Sequence, residues 1–263
     1  MVLRREGDAV IAIGQPAHAW LSGQLARAWG NERFGAPDPW EEVCLAAEQH
    51  DAGMADWDAA PELNPETGLP YSFVEMPVET HIRVWEHAWE RVLPQSRYAA
   101  LLVSMHGTAL YGLRDLTKLD ERQTARVRGY LEQQRAVQES LRSTLDGDGR
   151  GAEAALSLSR NQRLIWTWDA FSLALCLDWP PRALTGVPAV AGQLDVALEP
   201  DGERRVRVEP WPFAAEPVHV RCEGRVLEGR FEDEGAMRAA LRAAPWRSLE
   251  FELVPGAGRE RSA

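Results

Sequence analysis

A change of period near residue 180 constrains this chain more than any other feature. Before it, apolar residues recur every three or four positions; after it, they alternate. A helical part must therefore be followed by a strand part. Trp20, Leu21, Leu25, Ala28 and Trp29 predict a helix over 17–29, opened by Pro16 and closed by Gly30. Trp40, Val43, Cys44 and Ala47 predict a second, ending at His50-Asp51-Ala52-Gly53. Ile82, Trp85, Trp89 and Val92 predict a single helix over 79–93, stopped by Pro94. Further helices are expected over 98–110, 116–145 and 153–177. Ahead of them all, residues 1–13 read as a short strand or paired arm. Residues 54–78 hold four Pro and no period, a connection long enough to line a site. Past Pro180-Pro181, the alternation in 204–209 and 218–221 predicts four or five antiparallel strands, a short helix over 234–243 and a last strand over 249–254. The expected architecture is mainly α: a helical bundle in residues 1–183, followed by a small antiparallel β (α+β) region in residues 184–263.

The 263 residues carry 29 Lys+Arg against 40 Asp+Glu, a net charge of −11. No basic run exceeds two residues, which argues against a nucleic-acid surface or an anionic membrane as partner. The longest apolar runs, 98–103 and 171–177, fall far short of the roughly 20 residues a spanning helix needs. The first residues lack the apolar stretch of a secretion signal, so a cytoplasmic location is expected. Cys44, Cys176 and Cys222 have no motif spacing and are expected to be free thiols.

Five of the six His lie within the first 106 residues. His18 falls on the opening turn of one helix and His50-Asp51 on the last turn of the next. His81 and His106 follow on later helices, and Asp169 lies within Trp166-Thr167-Trp168-Asp169-Ala170-Phe171-Ser172-Leu173. Imidazole nitrogens and carboxylate oxygens converging from separate rigid elements are what a divalent metal requires, and a bundle interior is where they meet. Asp169, flanked by aromatic residues, is expected to be buried and to need a charge partner, which a metal supplies. His81 and His87 stand six residues apart, about 240° around a helix, so only one can join a common site, and His81 is assigned. His219, alone in the strand region, reads as structural. Trp57, between Asp56 and Asp58, is a candidate substrate wall. Arg160 and Arg163 could clamp a substrate phosphate through their planar forks, or else form a solvated helix face.

The series His…His-Asp…His…His…Asp on consecutive helices resembles the HD metal-dependent phosphohydrolase superfamily, and more narrowly an uncharacterised bacterial branch with a β-rich C-terminal tail. The resemblance covers about residues 15–180 and implies an HD-like helical bundle. It implies His18, His50, Asp51 and Asp169 as core metal ligands, with His81 and His106 completing a second site. It also implies Asp51 as the catalytic group that positions a metal-activated water. The cofactor would be one or two divalent metals (Mn, Fe, Mg, Ni or Zn), and the reaction hydrolysis of a small phosphorylated or anionic substrate. Met54 stands where the HD-GYP-like subgroup has Lys, and its Gly-Tyr-Pro motif is absent, so a cyclic-dinucleotide phosphodiesterase is not implied. The same ligands serve HD-like di-iron oxygenases that cleave C–C or C–P bonds. A non-catalytic metal- or ligand-binding protein is the third reading, and homo-oligomerisation is left open.

Overall fold

The computed structural model describes residues 1–112, 115–147, 151–177 and 182–256, with the side chains of 151–156 excepted. The predicted break at Pro180-Pro181 lies outside them. The chain opens on strands β1 (Val2–Glu6) and β2 (Ala9–Ile13), then helices α1 (Gln15–Ala28), α2 (Trp40–Gln49) and α3 (Ala55–Ala59). A small hairpin, β3 (Leu63–Asn64) and β4 (Leu69–Pro70), precedes α4 (Val78–Trp85), α5 (Ala88–Val92), α6 (Arg97–Gly112), α7 (Glu121–Gly147) and α8 (Gly151–Leu177). The rest is β5 (Arg182–Ala189), β6 (Gly192–Pro200), β7 (Arg205–Glu209), β8 (Val218–Glu228), α9 (Glu234–Ala243) and β9 (Trp246–Pro255).

The expected mainly α fold with a small antiparallel tail is overturned: the protein is α+β, built on a curled, mixed, seven-stranded sheet. Its order is β1-β2-β8-β9-β7-β6-β5. Two causes separate this from the expectation. The paired arm at the start is a full hairpin, turned by Gly7 at φ 60, and its second strand pairs antiparallel with β8 through Ala9–Ala12 and Arg225–Glu228. In addition, β7 and β9 run parallel, from Arg205 opposite Glu252 to Val208 opposite Pro255, which makes the sheet mixed. Alternation along β8 buries Val218, Val220 and Cys222 and exposes His219, Arg221 and Glu223. At Gly224 a Cβ would lie 2.5 Å from Ile11 and 3.0 Å from Ile13, so β2 and β8 pack this closely only because that side chain is missing.

One apolar core runs from the helices into the sheet. Trp29 at the end of α1 stacks edge-on against Trp168 of α8, Phe34 and Phe213, tying both helices to the loop before β8. Helix α8 packs against α1, α2, α6, α7, β1 and β5, making it the central element. The single helix expected over 79–93 is two, broken at Glu86-His87, where His87 leaves the helical region at φ −117, ψ 9. Residues 54–78 are ordered rather than structureless, and Met54, Trp57, Leu69 and Met76 form a second small core with Val10 and Leu227. Among the described residues no helix is long and apolar enough to cross a membrane. The three cysteines are free and buried.

Candidate metal centre

Four elements deliver the site. Helix α1 presents His18 from its first turn, where Pro16 suits the helical start and the Asp58 carboxylate accepts the Gln15 N–H. Helix α2 ends on His50, still helical. Asp51 follows at φ −101, ψ 18 and turns the chain into a 3-10 turn, with its carbonyl accepting the Met54 N–H at 2.9 Å. That sparsely populated backbone region commonly hosts functional residues. Gly53 makes the turn possible: a Cβ there would lie 2.2 Å from the Val84 carbonyl oxygen of α4. His106 comes from the middle of α6 and Asp169 from α8.

Their side chains meet in the interior. His18, His50 and Asp169 offer ligand atoms that all lie within 4.8 Å of one another. Asp51 Oδ2 stands 3.0 Å from His18 Nε2 and 3.6 Å from His50 Nε2; Asp169 Oδ1 stands 3.5 and 3.6 Å from the same two nitrogens. Metal–ligand bonds of about 2.0–2.2 Å place tetrahedral ligands about 3.3–3.6 Å apart, so this spacing suits one small cation. His106 Nε2 lies 3.6 Å from the other Asp169 oxygen, Oδ2, so Asp169 faces a nitrogen on each side. All five residues are buried.

Hydrogen bonds to Nδ1 turn Nε2 of both imidazoles inward. His50 Nδ1 donates to the Ala47 carbonyl at 2.8 Å, leaving Nε2 without a hydrogen-bond partner although fully buried. Ser172 Oγ donates to the Asp169 carbonyl at 2.9 Å and accepts from Ser22 Oγ at 2.9 Å, so the His18 Nδ1–H donates to it at 2.6 Å. Both rings thus point Nε2 at carboxylates, and with a cation in place of the proton these nitrogens would serve as ligands held by outer partners. Two acceptors 3.0 Å apart require a cation or a proton between them.

The electrostatics agree. Burial disfavours ionisation of Asp51 and Asp169, yet the surrounding imidazoles outweigh it and hold both carboxyls below the usual range. Burial works against a charged His50 too, but Asp51 and Asp169 overcome it and raise its pKa to about 9. His106, buried and next to His50, is lowered to about 4 and so stays neutral. Two carboxylates balanced by one divalent cation and neutral imidazoles leave no net buried charge.

Other candidates lie elsewhere. His81, half-buried, hydrogen-bonds the Tyr111 hydroxyl through Nδ1 at 2.6 Å and neighbours the Trp85 ring, which in turn neighbours His106. His87 is exposed and paired with Glu90, and His219 is exposed on β8. Trp57 is buried in the second core. Arg160 donates to the carbonyls of Phe34, Gly35 and Ala36, anchoring that loop. Arg163 donates to the carbonyls of Thr185 and Gly186 on β5 and lines a cavity with His106. Sequence reasoning missed Ser22, Ser172 and Asp58. A spacing of three places Ser172 on the same face of α8 as Asp169, the one signal that pointed to it.

Fold and site together define an α+β protein with a buried His/Asp cluster where α1, α2, α6 and α8 converge. The chain belongs to the family described as protein of unknown function (DUF3891), whose model matches residues 1–229. No curated protein and no solved structure matches the chain.

Proposed function

We propose that this protein is a metal-dependent hydrolase of HD type, acting on a small phosphorylated or anionic substrate. One observation carries the reading: two buried imidazoles, each held at Nδ1 by the Ala47 carbonyl or Ser172, point Nε2 at the carboxylates of Asp51 and Asp169. His18, His50, Asp51 and Asp169 follow the order of the HD core ligands. A divalent cation held there supplies a water of lowered pKa and neutralises charge on an anionic substrate. Asp51, held ionised by the surrounding imidazoles, would help hold the cation and orient the water. His18 and His50 are held rigidly by their outer hydrogen bonds, and the surrounding core excludes bulk water.

A di-iron oxygenase would call on both His81 and His106 for its second metal. Among the described residues the ligand atoms that gather within 4.8 Å come from His18, His50 and Asp169 and not from His81, so the single-metal hydrolase is the better supported reading. The test is elemental mass spectrometry on protein expressed in metal-defined medium, with His50→Ala and Asp169→Asn alongside, followed by a metal-dependent phosphatase screen with and without oxygen. About one metal per chain in the wild type, lost in both variants, together with oxygen-independent hydrolysis, is expected. A wild type that takes up none of Mn, Fe, Mg, Ni or Zn would sink the reading.

A further inference from the structure

Helix α8 carries more than the closing ligand. Its Ser159, Gln162, Arg163 and Trp166 line a cavity of about 270 Å³, completed from α6 by His106 and Ala109. His106 also touches the cluster through Asp169, so the cavity and the candidate metal centre share a wall. Spacings of four and three place Gln162, Trp166 and Asp169 on one stripe of the helix, leading from cavity to centre. The Trp166 ring lies 5.6 Å from that of His106, giving the chamber a flat aromatic side.

Arg163 is the only Lys or Arg among the described residues lining this cavity. Its Nε donates to the Gly186 carbonyl at 3.0 Å, and Nη2 donates to that of Thr185. Both carbonyls belong to a β-bulge between Leu184 and Val187, where Gly186 adopts φ 64. A Cβ on Gly186 would meet Nη2 at 3.0 Å, so the glycine keeps room for the guanidinium. Among the described residues no carboxylate pairs directly with Arg163; the nearby Asp195 carboxylate is taken by the Gly186 N–H at 2.9 Å. A guanidinium fixed in this way is an anion receptor with its orientation already set.

We propose that this cavity is the substrate chamber of the centre, with Arg163 holding the anionic end of a small substrate, carboxylate or phosphate, whose planar or apolar body lies on Trp166. Six residues separate Arg163 from Asp169, about 9 Å along the helix axis, so the anchored anion and the reacting group are different parts of the molecule. Pockets for drug-sized ligands span about 300–1,000 Å³, so a cavity of about 270 Å³ suits a small molecule. What reacts at the far end rests on the hydrolase reading; anion capture does not.

Fluorine NMR titration of the full chain, metal-free and Mn²⁺-loaded, tests this with 4-fluorobenzoate, 4-fluorophenylphosphonate and neutral 4-fluorobenzamide. At least one anion should bind wild type tenfold or more tightly than the benzamide, and the choice between them identifies the anionic group. Arg163→Gln should remove that preference, and Arg163→Lys should restore part of it. With Mn²⁺ bound, the fluorine of the captured probe should relax faster. Equal affinity of wild type for anion and amide, no anion binding at millimolar concentration, or a preference that survives Arg163→Gln would each overturn the proposal. Equal wild-type affinity for anion and amide overturns the proposal even if the variant does not fold. A chain that binds the anion but no Mn²⁺ would overturn the hydrolase reading and leave Arg163 as an anion site. Bound Mn²⁺ with an unaffected bound probe would overturn the placement of the chamber.

Discussion

At the scale of the residue, the centre depends on side chains that never touch the proposed metal. Ser172 fixes the His18 tautomer while its own proton is taken by the Asp169 carbonyl, so it coordinates two of the groups at once. Loss of such an outer partner costs metal affinity about 10–100-fold. Ser172→Ala should therefore weaken metal binding by that factor in a chelator competition, with little change in fold. Gly53→Ala is expected to act differently. The new methyl would collide with the Val84 carbonyl and the Ala88 side chain, displacing the turn that presents Asp51. Overpacking of about 1–3 kcal/mol, read as a lower urea midpoint, should be accompanied by loss of metal. His50-Asp51, His18 and Asp169 were legible in the sequence because ligand chemistry restricts residue type and helix position. Ser22, Ser172 and Asp58 were not, because a serine or aspartate that orients another residue resembles any other until its distant partner is known.

At the scale of the element, the helices declared themselves through their period, and their ends fell close to the expected residues. Two local patterns misled. The stripe from Ile82 to Val92 continues through a break at His87, since apolar spacing records the buried face and not the backbone that carries it. The initial hairpin looked like an isolated arm because its sheet partner, β8, lies more than 200 residues away, beyond any local signal. Gly224 is where that distant pairing was settled. Gly224→Val should drive a side chain into Ile11 and Ile13, costing about 1–3 kcal/mol in chemical denaturation. The metal content of the molecules that remain folded should be unchanged, separating sheet damage from site damage.

At the scale of the whole molecule, buried titratable groups should set how stability varies with pH. In metal-free protein, His50 holds a proton with a pKa near 9 against an ordinary 6.5, so its contribution is complete below 6.5 and lost as pH rises through 9. His106, lowered to about 4, has the opposite sense, contributing above 6.5 and losing this as pH falls toward 4. The depressed carboxyls of Asp51 and Asp169 add to the loss in acid. Thermal unfolding in chelator should show greatest stability near pH 6.5, falling on both sides. A metal replaces the proton on His50, so its stabilising effect should grow across the alkaline limb. The placement of β9 bears on how the molecule is made. β9 lies between β8 and β7, and α1 rests on β8, so the sheet that supports His18 is continuous only once residues 246–255 have joined it. The helices can assemble from local contacts while the chain is still emerging, but the sheet beneath α1 also needs the pairing of β2 with β8, more than 200 residues apart. Every proposed ligand, from His18 to Asp169, is thus synthesised before the strand on which α1 rests.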